Sequence, residues 1–267
     1  MIAILDKYPL APRVYCMILD APLIAAKAQA GQFVIVRAAE KGERIPLTIA
    51  DYDREKGTVT LVFQETGKTT RLLASLSQQG TLLDLLGPQG NPTEIERFGN
   101  TVVIGGGIGV APVFPLARAL REYGNTVTAI VGFRSREYVF WEEKMARVSN
   151  RLIMTTNDGS YGVQGFVTDA LKVLLNSGET IDRVFAIGPA LMMKAVAEAT
   201  KEKNIKTIVS LNSLMVCGMG MCGACRVTVE GVTRFTCMDG PDFDAHQVDF
   251  DVLIKRLETY TCEECRE

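Results

Sequence analysis

Apolar positions in the first hundred residues recur in short runs with the twofold period of a pleated strand. Gly31–Ala38 (GQFVIVRA), Arg44–Ala50 (RIPLTIA) and Thr58–Gln64 (TVTLVFQ) are such runs, separated by polar turns at Lys41–Glu43 and Asp51–Gly57. Several short strands at this spacing predict a small antiparallel barrel or sandwich. Arg71–Leu76 predicts one helix, and GPQGNP (Gly87–Pro92) closes the unit with backbone breakers. From about residue 99 the period changes. Buried-type strands at Thr101–Gly105, Thr126–Phe133, Arg151–Thr156, Arg183–Gly188 and Thr207–Leu211 alternate with helical patterns at Ala111–Tyr123, Trp141–Arg147, Val163–Leu175 and Leu191–Lys203. That alternation predicts an α/β unit with a parallel sheet and crossover helices. The chain therefore divides into three expected segments: 1–98, 99–212 and a short module with a tail at 213–267.

Composition narrows the class. Net charge is −2, with 47% hydrophobic and 22% charged residues and no basic block, which argues against nucleic acid as a partner. Met1–Pro9 shows no charged-then-apolar leader, and no apolar run approaches the roughly 18 residues of a membrane span. Seven cysteines, clustered late in the chain, do not resemble an extracellular disulfide framework. A reducing cytoplasm is the expected compartment.

Four of those cysteines carry the sharpest chemistry. Cys217, Cys222, Cys225 and Cys237 form C-x4-C-x2-C-x11-C, the spacing of a plant-type 2Fe–2S loop. The glycines and alanine of CGMGMCGAC (Cys217–Cys225) let backbone amides approach cluster sulfurs. Thiolates this close repel one another unless a metal takes up their charge. The stretch Arg226–Thr236 alternates around a central glycine and predicts a hairpin that returns the chain to Cys237. A zinc knuckle is the alternative, but zinc pairs ordinarily come as two separated C-x2-C units.

A second site is nucleotide-like. GGGIGVAP (Gly105–Pro112) lies between a strand and a helix, where a pyrophosphate meets a helix N-terminus. As a dinucleotide fingerprint it is imperfect, with Val110 at the sixth position. AIGPALMMKAV (Ala186–Val196) makes a second glycine turn at the carboxyl end of another strand. Ligands bind along that edge of an open α/β sheet, so Gly106, Gly107, Gly109, Gly188, Pro189 and Met192 are candidate nicotinamide contacts.

GGGxGxAP together with GPxxMMxAV resembles the ferredoxin–NADP reductase superfamily, and the cysteine quartet resembles its branch with an appended 2Fe–2S module. Within that branch, MVCGMGMCGACRVTV (Met215–Val229), Asp239–Asp251 and ERIPLTIADYD (Glu43–Asp53) are similar to two relatives. One is the small subunit of electron-bifurcating NADH-dependent ferredoxin:NADP oxidoreductase, also called sulfide dehydrogenase. The other is the electron-transfer subunit of dihydroorotate dehydrogenase. The resemblance implies a flavin barrel, a nicotinamide domain and a cluster module. It implies FAD, a 2Fe–2S cluster and NAD(H) as cofactors, and a larger flavin or iron–sulfur catalytic subunit as partner. It places the flavin against Pro46, Leu47 and Thr48, where IPLT stands in for the superfamily's R-x-Y-[S/T]. It adds FQETGKTT (Phe63–Thr70) as a second flavin segment, with Phe63, Gln64, Gly67, Thr69 and Thr70 as contacts.

Alternation puts Arg44, Pro46 and Thr48 on one face of their strand and Ile45 and Leu47 on the other. Arg134, Arg136 and Glu137 stand where ribose selectivity is set: arginines suit a 2′-phosphate and the glutamate a free hydroxyl, and the resemblance favours NAD(H). A solvated charged turn is the alternative. Asn157–Gly162 is a loop at the same edge. His246, the one histidine, has no nucleophile pattern around it. Cys16 suits a core position. Cys262 and Cys265 form a late C-x2-C expected as free thiols.

Overall fold

The computed structural model describes residues 1–259, so Cys262 and Cys265 lie outside the described residues. The first sheet is antiparallel and barrel-like. Its strands are β1 (Ile2–Ala11), β2 (Val14–Asp20), β3 (Phe33–Arg37), β4 (Arg44–Asp53), β5 (Thr58–Gln64), β6 (Thr81–Leu82) and β7 (Asp84–Gln89). They run in the order β6-β1-β2-β5-β4-β3-β7. Two helices, α1 (Pro22–Ala25) and α2 (Lys68–Ser75), complete the unit. The β1–β2 hairpin was not among the predicted strands. Its turn uses Arg13 at φ 59 rather than a glycine, and Pro9 interrupts the apolar run, so both usual hairpin signals are missing.

Strand β3 is buried on both faces. Val34 and Val36 fill the barrel with Met17, Leu19, Leu61 and Phe63, whereas Phe33 and Ile35 pack outward against Met215, Cys225 and Cys237. The continuous FVIV run thus reflects two cores meeting across one strand.

The second sheet holds β8 (Asn100–Gly106), β9 (Thr126–Phe133), β10 (Arg151–Thr156), β11 (Val163–Gln164), β12 (Arg183–Ile187) and β13 (Thr207–Ser210). Helices α3 (Val110–Glu122), α4 (Glu142–Val148), α5 (Val167–Asn176) and α6 (Ala190–Lys201) alternate with them. The order β11-β10-β9-β8-β12-β13 reverses between β8 and β12, which makes their carboxyl ends the topological switch point. The predicted helix at Val163 starts four residues later. Gly165 at φ +123 breaks the run, and Val163–Gln164 pairs with β10 instead.

The C-terminal segment is woven into this domain. Hairpin β14 (Arg226–Val229) and β15 (Val232–Phe235) turns at Glu230 and Gly231, both at positive φ as a tight two-residue turn requires. After helix α7 (Thr236–Asp239), β16 (Asp242–Asp244) joins the sheet antiparallel to β13, followed by α8 (Phe250–Thr259). Val227, Val229, Phe243, Phe250 and Leu253 share one core with Val184, Val196 and Val209. No helix among the described residues is long and apolar enough to cross a membrane.

Candidate functional site

A cleft of about 630 Å³ opens at the switch point, within the size range of small-molecule sites. Gly106, Gly107, Pro189 and Met192 line it, as do Arg134 and Asn157 from the neighbouring loops and Val14 and Gln64 from the barrel. The two glycine turns touch: a side chain at Gly106 would overlap the Met192 sulfur, and a Cβ at Gly188 would fall 3.0 Å from that sulfur. Gly107, at φ +55, has nothing within 4 Å of where a Cβ would point. Its backbone therefore fronts open cleft just before α3. Gly109 has a different task, because a Cβ there would overlap the Ile187 carbonyl oxygen. It lets α3 pack tightly on β12, and it stands behind the residues that line the cleft.

Several cleft residues were not singled out from sequence. Tyr138 and Phe140 follow β9, and Phe166, Val167 and Thr168 form the start of α5. Only the tertiary fold brings these segments to the glycines. Of the two arginines after β9, Arg134 lines the cleft, while the Arg136 guanidinium sits 5.6 Å over the Tyr161 ring. The Tyr161 hydroxyl in turn donates to the Glu142 carboxylate at 2.9 Å. His246 lies away from the cleft, its Nε2 3.1 Å from the Thr200 hydroxyl behind α6.

The candidate flavin residues fall on β4 and around α2. Ile45 and Leu47 turn toward the barrel interior. Pro46 and Thr48 sit opposite Ile35 and Phe33 in the β3 register and so share their outward face, the one that meets the cluster module. Leu47 can offer that face only its backbone. Phe63 is fully inside the barrel, stacked on Tyr15 at 5.7 Å, whereas Gln64 reaches the cleft. The Thr70 hydroxyl is taken up locally, accepting the N–H groups of Thr66 and Gly67 at 2.9 Å each, and buried Thr69 donates to Glu43 at 2.9 Å. These hydroxyls hold the Gly67 turn at the start of α2 rather than pointing free.

The four thiols gather as two pairs. Cys225 and Cys237 are buried with their sulfurs 3.2 Å apart, while Cys217 accepts the Cys222 N–H at 3.4 Å and adjoins its thiol. Gly218, Gly220 and Gly223 all have positive φ, which turns amides inward. The N–H of Met219 points to the Cys217 sulfur at 3.5 Å, and that of Gly220 to Cys237 at 3.1 Å. Burial works against ionisation of Cys217, but the amides of Met219 and Cys222 outweigh it and bring its pKa down to about 7. Burial and the Cys225 thiol push Cys237 up to about 12. Among the described residues no three His, Cys, Asp or Glu side chains converge on one point, as a single ion would require. Paired sulfurs with inward amides suit a two-iron centre, which takes two cysteines per iron. The loop is seated on the barrel: a Cβ at Gly218 would fall 2.9 Å from Cδ1 of Ile35.

A barrel, a nicotinamide-type cleft at a switch point and a paired cysteine quartet define the class: iron–sulfur flavoprotein oxidoreductases of the ferredoxin-reductase type. Residues 212–249 match the iron–sulfur cluster binding domain of dihydroorotate dehydrogenase B. The chain is 43% identical to a dihydroorotate dehydrogenase B electron-transfer subunit homologue of Thermotoga maritima, over 96% of this chain and 90% of that protein. It is 35% identical to the electron-transfer subunit of Streptococcus mutans, over 94% and 98%. The chain belongs to the family of dihydroorotate dehydrogenase B electron-transfer subunits and their homologues. Among solved structures it is similar to a chain of NADH-dependent reduced ferredoxin–NADP oxidoreductase from work on flavin-based electron bifurcation. That match has 42% identity and TM-score 0.93, over 99% of this chain and 94% of the other. An Amycolatopsis cytochrome P450 reductase, at 22% identity and TM-score 0.65 over 76% of this chain and 66% of that one, shares the fold.

Proposed function

We propose that this chain is the electron-transfer subunit that links NAD(H) to a larger catalytic partner. The assembly is of the bifurcating NADH-dependent ferredoxin:NADP oxidoreductase type. When bound, the nicotinamide exchanges a hydride, the flavin divides the electron pair, and the cluster carries electrons singly. The observation that carries the reading is that the three candidate sites adjoin the same barrel strands. The cleft opens beside β5, Thr48 and Pro46 share an outward face with Phe33 and Ile35, and Gly218 of the cluster loop rests on that face. The chain's own residues bind and orient. The Gly107 turn and the start of α3 take the pyrophosphate, Pro46 and Thr48 front the flavin, and Cys217, Cys222, Cys225 and Cys237 hold the iron. With Arg136 engaged on Tyr161, Arg134 is the arginine of the pair left facing the cleft, and the choice of NAD(H) rests on the family resemblance.

Anaerobic NADH titration of the flavin- and iron-loaded chain tests this. Flavin absorbance is expected to bleach, followed by the paramagnetic signal of a reduced 2Fe–2S cluster. A loaded chain whose flavin ignores NADH overturns the reading. The dihydroorotate pathway is the second reading, favoured by the family match over the cluster segment. Dihydroorotate-driven NAD reduction by the co-purified complex would establish it instead.

The partner's place follows from exposure. Cys222 is exposed, and so are its apolar neighbours Val216, Met219, Met221 and Met238, with Met221 at 81%. Pliant methionines around a redox centre suit docking of the larger electron-accepting subunit. Met221→Glu is expected to weaken association with that subunit about tenfold or more, because a carboxylate set into an apolar contact loses its water without gaining a partner. The cluster spectrum should stay unchanged. Calorimetric titration against the purified partner checks it, and undiminished affinity rejects this face.

A further inference from the structure

The strand that fronts the flavin also grips the helix that carries the nucleotide loop. Along β4, Ile49 pairs with Leu61 and points into the barrel. By simple alternation Asp51, two residues on, would share that interior face. The register instead shifts between Ile49 and Asp51, so Asp51 pairs with Thr60. A bulge of this kind adds one residue and re-aims the side chains that follow. Ala50 and Asp51 both leave the barrel: Ala50 packs into the core shared with Val110, Val113 and Ala117 of α3, and Asp51 meets cations of the nicotinamide domain.

Those cations are well placed. Arg118 of α3 reaches Asp51 Oδ1 at 2.8 Å, and Lys144 of α4 lies 3.9 Å from Oδ2. The Tyr52 N–H also donates to Asp51 at 2.9 Å. Aromatic rings hold both cations. The Arg118 guanidinium stands 5.4 Å over Tyr52 and 5.3 Å over Phe114, and the Lys144 ammonium 4.3 Å over Trp141. Asp51 and Arg118 are only 21% and 27% exposed, so the contact is shielded beyond that of an ordinary surface pair.

We propose that the Asp51–Arg118 pair, backed by Lys144, is a positioning clasp. It sets the nucleotide loop in register with the flavin-bearing face. The inference rests on the proposed function, and its mechanical basis is connectivity. Thr48 lies three residues before Asp51 on β4, and the Gly107–Gly109 turn leads directly into α3, which carries Arg118. One ion pair therefore ties the strand behind one reactant to the helix behind the other. Hydride transfer is steep in donor–acceptor placement, and a misplacement of about 1 Å can cost on the order of 10²-fold. Asp51 touches neither reactant and acts through α3.

The test is stopped-flow reduction of the bound flavin by NADH in the full holo-chain. Asp51→Asn keeps the size and one acceptor but removes the charge. FAD and cluster content are expected to stay at wild-type levels, and the NADH concentration for half-saturation to change less than about twofold. The limiting reduction rate is expected to fall about tenfold. The kinetic isotope effect with NADH deuterated at the transferring position should rise. Arg118→Gln should do the same, and the double variant should be no slower than either single, because both break one contact. A clasp that only stabilised the fold would lower the melting temperature without moving the limiting rate or the isotope effect, and that result overturns the proposal. Additive losses in the double variant overturn it too. If Asp51→Asn does not retain FAD, Arg118→Gln reads the same contact from the other domain, and a wild-type limiting rate there is equally fatal. A wild-type holo-chain that NADH cannot reduce would instead sink the functional reading itself.

Discussion

Placing tryptophan at Gly107 is expected to slow reduction of the bound flavin by NADH about 10³-fold or more, an added barrier of about 4 kcal/mol. FAD and the cluster should be retained. Two properties of the position combine. Its backbone sits at φ +55, where a side chain is strained, and the space in front of it is open cleft. Strain and blockage can be separated. Alanine at the same place adds a Cβ that meets nothing within 4 Å, so it carries only the left-handed backbone cost of about 1–2 kcal/mol. Gly107→Ala should therefore lose a little stability and keep most of its reduction rate, whereas the indole would fill the cleft proposed to take the pyrophosphate. Stopped-flow absorbance on both variants checks this. Equal rates in the tryptophan variant and the wild type would mean that the nucleotide does not cross this turn.

How much of this was legible in the chain follows from how local each feature is. The cysteine spacing is a local signal and the loop's turns are set by glycines, so Cys217 to Cys237 could be proposed as cluster ligands before any tertiary contact was known. The glycine turns at Gly106 and Gly188 were readable as loops, and their meeting required the strand order. The faces of β4 followed from period two as far as Thr48. Beyond it the bulge at Ala50 reverses the parity, and nothing in TIADYD announces that, because alternation continues on paper. The same limit hid Phe140 and Phe166, which are hydrophobic residues of ordinary elements until the fold brings them to the cleft. Gly109 looked like a ligand glycine because the motif lists it beside Gly107. Its need for a missing side chain comes from the Ile187 carbonyl across the sheet, a contact no linear pattern displays.

Cys222→Ser should abolish the 2Fe–2S signal while leaving reduction of the flavin by NADH within about twofold of wild type. Delivery of electrons to the partner should fall about 10³-fold, roughly the 4 kcal/mol expected when a relay centre is removed. Serine lacks the soft thiolate that iron–sulfur chemistry needs, and Cys222 is exposed, so the change costs the fold little. The contrast with Cys225→Ser sharpens the argument. Cys225 is 2% exposed and packs with Phe33, Ile35 and Met215, so its loss should disturb the seat of the module on the barrel as well as the cluster. The outward face of β4 is continuous with that seat, and flavin affinity should drop with it. If Cys222→Ser instead lost flavin and cluster together, the loop would be part of the flavin site rather than its outlet. The path from cleft to cluster would then have to be redrawn with both cofactors in one cavity. Separate loss, measured by flavin absorbance and by paramagnetic resonance on the same sample, supports a serial relay in which the less buried pair, Cys217 and Cys222, stands nearest the exit.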